Sequence, residues 1–145
     1  MANSFKIDRV LFATDLSPAC EPALRCATAL ASRFNAELYL LHVVPAPSEV
    51  AASNDTSEPH ASEAMRRLRQ ERLGAHDKHS AAVLAGDPAT RILQKAGDIH
   101  ADLIVMGTSG HCPRPGGLTD SVVRGASCPV LAVPSVRQAG TELRT

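Results

Sequence analysis

DLIVMGTSGHCPRPGG, residues Asp102 to Gly117, sets the fold class. Leu103, Ile104, Val105 and Met106 form a continuous apolar run without polar alternation, the pattern of a strand buried on both faces of a parallel sheet. Gly107 ends the run. Gly110, Pro113, Pro115, Gly116 and Gly117 then exclude regular structure, and helix-compatible sequence resumes near Leu118. Strand, glycine loop and helix in that order suit an anion. Glycine lets the main chain approach closely, and the unpaired N–H groups of a helix start point outward along the positive end of its dipole.

Outward from this stretch, the chain has 145 residues, enough for one domain over 1–145. Lys plus Arg and Asp plus Glu number 15 each, so no net field draws the protein to nucleic acid or an anionic membrane. With one Tyr, no Trp and three Phe, the core must be built from Ala, Val, Leu and Ile, and stacking platforms for single-stranded nucleic acid are missing. The opening MANSFKIDRV carries no signal-peptide run, and no segment reaches the roughly 20 apolar residues that span a bilayer. The expectation is a cytoplasmic protein with no nucleic-acid or membrane partner. Cys20, Cys26, Cys112 and Cys128 show no C-x-x-C spacing and read mainly as small apolar fillers.

Val10 to Ala13 predicts a first buried strand, with Thr14 and Asp15 placing a hydroxyl and a carboxylate at its carboxyl end, where α/β folds put ligand contacts. Ser17-Pro18 reads as an N-cap and first-position proline, while Pro22 leaves open a helix start nearer Glu21. On that helix Ala23, Ala27, Leu30, Ala31 and Phe34 are expected to face the sheet, and Asn35 to end it. Leu38 to Val44 predicts a second strand, with His42 a hydrogen-bonded core residue and no metal ligand. Pro45 to Pro59 reads as a mobile loop, and His60 to Leu73 as a helix burying Ala61, Met65 and Leu68 with an arginine-rich solvated face, stopped by Gly74.

Ala81 to Ala85 predicts a third strand. Gly86-Asp87-Pro88 then supplies a turn, an N-cap and a first-position proline for a helix burying Ile92, Leu93, Ala96 and Ile99. A fourth helix from about Leu118 to Arg124 is expected to pack through Leu118, Val122 and Ala126, and Val130 to Val133 predicts a last strand before a disordered tail at about 136–145. Alternating strands and helices give an α/β fold, a three-layer α/β/α sandwich around a five-stranded parallel sheet. The strand ends at Asp15 and Gly107 carry the polar and glycine chemistry, which places them side by side at the switch point of the sheet.

The segments VLFATDLS (Val10–Ser17), LYLLHVV (Leu38–Val44), GDPATRIL (Gly86–Leu93), ADLIVMGTSG (Ala101–Gly110) and SCPVLAVP (Ser127–Pro134) occur in an order and spacing that resembles the universal stress protein family, UspA-like, over about Arg9 to Pro134. The resemblance implies strand order 3-2-1-4-5, a Rossmann-like, adenine nucleotide alpha hydrolase-like fold, and a homodimer formed through Val130–Val133. Some family members bind ATP or AMP. The resemblance carries their contacts onto Ala13, Thr14, Asp15 and Val43 around the adenosine and onto Gly107 and Gly110 at the phosphates, with magnesium where ATP is bound; beyond the matching half of the motif, Gly116, Gly117 and Leu118 can present main-chain N–H groups at the helix start, Arg114 a charge-assisted contact, and Met106 completes the expected nucleotide-binding set.

The family's phosphate motif is Gly, two residues, Gly, nine residues, then Gly followed by Ser or Thr. Gly107 and Gly110 match its first half. Aligned back from Cys128-Pro129, the second half falls on Gly116-Gly117, with five intervening residues and glycine in place of the hydroxyl. Pro113 and Pro115 offer no N–H. The loop is therefore either a shortened adenine-nucleotide site or a purely structural glycine loop. The implied function is a dimeric, non-enzymatic stress-response module. The alternative is slow ATP hydrolysis or nucleotidyl transfer with Asp15 positioning a metal or water, although no G-x-x-x-x-G-K-[ST] and no loop lysine support it. A third reading makes His111 and Cys112 a metal or redox site, with Cys112 a reactive thiol beside Arg114.

Overall fold

A computed structural model of the chain describes residues 5–44, 57–73, 78–108 and 116–135. Five strands, β1 (Arg9–Ala13), β2 (Glu37–Val44), β3 (His79–Ala85), β4 (Leu103–Gly107) and β5 (Val130–Val133), form one parallel sheet in the order β3-β2-β1-β4-β5. Four α-helices connect them: α1 (Glu21–Phe34), α2 (Ser57–Arg72), α3 (Pro88–Ile99) and α4 (Leu118–Gly125). The chain moves outward from β1 to β2 and β3, then returns across the sheet to place β4 on the free side of β1. That reversal is the switch point, and β1 lies at the centre of the molecule.

Side chains alternate across the sheet and build two cores. On one face Val10, Phe12, Leu38, Leu40 and Val105 pack against Ala23, Leu24 and Ala27 of α1 and Met65 of α2. On the other, Leu11, Leu41, Ile104 and Met106 pack against Ile92 of α3 and Val122 of α4. This is the expected three-layer sandwich, and small alanines on α1 let that helix lie close to the sheet. At the amino ends of the strands, the Asp102 carboxylate accepts from the Asp8 and Arg9 amides at 2.8 and 3.1 Å, tying the entry of β4 to that of β1.

Both proline signals before α1 are used. Pro18 opens a short 3-10 turn, Pro18–Cys20, and Pro22 lies in the first turn of α1. Asn35 ends α1 in the left-handed conformation, φ 56°. Asp87 caps α3, its side chain accepting from the Thr90 amide at 3.0 Å and the Thr90 hydroxyl at 2.8 Å. These bonds hold its carboxyl below the usual carboxylate range.

Four expectations need correction. Phe34 is 48% exposed, because the buried stripe of α1 ends at Ala31 and Phe34 is the last helical residue before the chain turns back into β2. Leu118 is 43% exposed; one turn before Val122 on the same face of α4, it borders the open crevice at the strand ends and not the packed core. Ser57, Glu58 and Pro59 begin α2 rather than closing a loop, as a proline in a first turn is compatible with helix. Ser17 makes no side-chain cap for the turn it precedes, its hydroxyl being committed to Asp15. The remainder of the expected loop, Gly74 and the expected disordered tail lie outside the described residues.

Candidate functional site

Residues Leu41, Ala13 and Met106 form one rung across the carboxyl ends of β2, β1 and β4, since Ala13 pairs with both neighbours in register. This rung floors a crevice. Val43 and Gly107 extend it along the strand ends, Pro88 and Ile92 of α3 and Leu118 of α4 wall it, and Thr14, Asp15, Cys20 and His42 supply its polar groups. The apolar floor and walls suit a flat ring, and the polar groups cluster at the end of β1.

The turn after β1 is built by its own side chains. Thr14 is buried, its amide donating to the Leu41 carbonyl at 2.9 Å and so extending the β1–β2 ladder by one bond. Its hydroxyl accepts from the Leu16 amide at 2.9 Å, and Asp15 Oδ1 accepts from the Ser17 amide at 2.8 Å, the Ser17 hydroxyl at 2.6 Å and the Cys20 thiol at 3.1 Å. The Leu16 and Ser17 amides are each answered by a side-chain oxygen two residues before, which is why Thr and Asp occur here, and the Ser17 hydroxyl adds a side-chain bond to the same carboxylate. The turn holds Leu16 at φ 64°, a costly conformation for a branched side chain that persists where the surroundings enforce it. All three bonds to Asp15 fall on Oδ1; Oδ2 carries none of them.

Burial pushes the Asp15 carboxyl up, but the bonds from Ser17 and Cys20 outweigh it and leave the group below its ordinary range, ionised at neutral pH. Burial likewise pushes the Cys20 thiol up, with the neighbouring Asp15 charge acting in the same direction, so Cys20 is a thiol donor here and not a thiolate. His42 Nδ1 lies 2.8 Å from the Thr14 carbonyl oxygen, which can only accept, so Nδ1 carries the proton. His42 is thus hydrogen-bonded as expected, and it also faces the crevice.

Of the residues singled out in the sequence, the structure brings Ala13, Thr14, Asp15, Val43, Met106, Gly107 and Leu118 to one crevice. Gly116 and Gly117 stand at the head of α4, where Gly116 adopts φ 82° and Gly117 is the N-cap. The Gly116 amide, expected to be free for a ligand, instead donates to Asp120 Oδ2 at 2.9 Å. Gly110, His111, Cys112 and Arg114 lie outside the described residues. Sequence reasoning missed Leu41, Pro88 and Ile92 as crevice walls. It read Cys20 mainly as filler, and the thiol does pack against the core of Val10 and Phe12, but it also lines the crevice and donates to Asp15 Oδ1. Cys26 and Cys128 do pack against the two cores.

Residues 6–134 match the universal stress protein family. The chain belongs to that family. A universal stress protein of Methanocaldococcus jannaschii is 31% identical over 137 residues, covering 86% of this chain and 81% of the relative. Among solved structures, the universal stress protein UspA of Lactobacillus plantarum superposes with a TM-score of 0.71 at 27% identity, covering 90% of this chain and 99% of that one. A universal stress protein of Archaeoglobus fulgidus in complex with dAMP superposes with a TM-score of 0.70 at 20% identity, again over 90% and 99%, and shares the fold. Strand order 3-2-1-4-5 in this universal stress protein is therefore both observed and shared. No helix among the described residues is long and apolar enough to cross a membrane.

Proposed function

We propose that this universal stress protein is a cytoplasmic, non-enzymatic binding module whose crevice takes an adenine nucleotide such as AMP or ATP, and that occupancy changes the surface it presents to a partner. The observation that carries the reading is the shared crevice: the Asp15 carboxylate and the Gly107 main chain, on adjacent strands at the switch point, border the same apolar rung. The base lies on Leu41, Ala13 and Met106, the ribose hydroxyls reach Asp15 Oδ2, and the phosphates extend toward α4. The same fold holds dAMP in the Archaeoglobus protein.

Binding without catalysis fits the polar groups present. Among the described residues no three His, Cys, Asp or Glu side chains converge to hold a metal, so magnesium would arrive with ATP and be held by its phosphates. Equilibrium dialysis with AMP, cyclic AMP and ATP tests the reading. Saturable one-site binding of at least one is expected, and none at millimolar ligand would remove it.

Dimerisation through β5 belongs to the same proposal. Val130–Val133 is an edge strand whose Leu131 is 37% exposed, and pairing with a second copy would cover both. Sedimentation equilibrium should find a dimer in the wild type and a monomer in Leu131→Lys; a wild-type monomer at tens of micromolar would exclude this edge as the interface.

A further inference from the structure

We propose that the chain carries a second ligand site, separate from the crevice, that takes a small apolar α-amino acid of about the size of leucine. The site is a cavity of about 200 Å³ between the turn after β1, the start of α1 and one side of α2. Its floor is Phe12 and Leu24 of the first core, whereas the crevice rests on Ala13, Leu41 and Met106 of the second, so the two open on opposite faces of the sheet. Thr14 and Cys20 line both, which makes the turn their common wall. The proposal does not depend on the adenine-nucleotide reading.

The cavity is built for an apolar body. Leu16 and Leu68 stand with Phe12 and Leu24 around it, and Ala64 leaves its mouth open. An apolar cavity of about 150 Å³ already accepts a benzene ring, so this one has room for a branched aliphatic or aromatic side chain. Leu16, the residue held at φ 64°, lies in its wall, and backbone strain of this kind gathers where a ligand is clamped.

The rim defines the head group. Most of its polar groups are already used: the Thr14 hydroxyl accepts from the Leu16 amide, the Ser17 hydroxyl and Cys20 thiol donate to Asp15, and both oxygens of Glu21 are engaged by Arg72. Arg67 and Glu71 stand one helical turn apart on the same rim. Arg67 reaches Glu63 at 3.9 Å, while the close bonds of Glu63, at 2.6 and 3.2 Å, come from Arg66. A loosely held guanidinium and a carboxylate therefore sit side by side above an apolar floor. A simple acid would satisfy Arg67 and be repelled by Glu71, and a simple amine would do the reverse. An α-amino acid answers both, its carboxylate on Arg67, its ammonium on Glu71 and its side chain in the cavity.

The test is titration of the full chain with L-leucine, read by backbone amide chemical shifts of isotope-labelled protein. Saturable shifts are expected at Leu16, Ala64 and Leu68. Isocaproate, which lacks the ammonium, and isoamylamine, which lacks the carboxylate, should each bind at least about fivefold more weakly than leucine. Arg67→Gln should weaken leucine by a similar factor and leave isoamylamine within about twofold, and Glu71→Gln should weaken leucine and spare isocaproate. Ala64→Phe, a change at an exposed position of α2, closes the mouth and should abolish leucine binding in a chain with wild-type circular dichroism. No saturation at about 10 mM leucine, equal affinity for leucine and isocaproate, or undiminished binding by folded Ala64→Phe would each overturn the proposal. Leucine shifts confined to Val43, Gly107 and Leu118 would do so too, by placing the ligand in the crevice.

Discussion

Phe12→Ala should lower the unfolding free energy by about 3–5 kcal/mol, the range for removing a large buried aromatic side chain. Phe12 is fully buried at the centre of β1, and its register partners Leu40 and Val105 are 1% and 0% exposed. Behind that rung lie alanines of α1, Ala23, Ala27 and Ala31. Alanines have no side chain with which to fill a cavity, so the space left by the ring persists, which puts the cost at the upper end of the range. Against a total stability of about 5–15 kcal/mol, the loss is large. Phe34→Ala is the control, since half of that ring is in water, and should cost under about 1 kcal/mol. Urea unfolding followed by far-UV circular dichroism measures both, as the chain has no Trp. A Phe12→Ala midpoint near that of wild type, with unchanged slope, would show that α1 can collapse onto the sheet.

The same asymmetry explains what was legible before the structure. Leu103 to Met106 announces a strand because both faces of β4 are buried, so no alternation interrupts the pattern. Gly86-Asp87-Pro88 announces α3 because its information is local, completed within three residues by the Thr90 amide. Thr14 and Asp15 were legible as strand-end chemistry for a similar reason. Their partners, Leu16 and Ser17, lie two residues on. Periodicity failed where an element ends. Phe34 and Leu118 both continue an apolar stripe, but one stands at the last position of α1 and the other at the first turn of α4, beyond the sheet that would bury them. The bond from Gly116 to Asp120 was readable in principle. An acidic residue at the third helical position reaching back is the pattern of a capping box, but here the bond comes from Gly116, one residue before the N-cap, and glycine stands at the N-cap where a Ser or Thr partner would be. The crevice walls Pro88 and Ile92 were not legible, since their approach to Ala13 depends on how α3 crosses the sheet.

Asp15→Ala should weaken adenosine or AMP binding roughly 10- to 100-fold, the equivalent of about 1.5–3 kcal/mol for a hydrogen bond to a charged group. The carboxylate is the sole ionised side chain among the described residues lining the crevice. Its Oδ1 is occupied by Ser17 and Cys20, so the ligand's share falls to Oδ2. Alanine also releases the turn that holds Leu16 at positive φ, and Asp15→Asn separates the two effects. Asparagine retains an acceptor for the Ser17 amide and removes the charge, so its loss of affinity should fall between wild type and alanine. The chemical signature is the preference for AMP over dAMP. If Asp15 receives the ribose 2′-hydroxyl, that ratio exceeds one in wild type and collapses toward one in Asp15→Ala. The pH dependence has a fixed sign. A carboxyl held below its usual range in the folded state contributes stability above its unfolded pKa and loses it as pH falls through the folded value, so Asp15 leaves binding flat between pH 6 and 8 and weakens it only in acid. An unchanged AMP-to-dAMP ratio in Asp15→Ala would show that the carboxylate shapes the turn and does not touch the sugar.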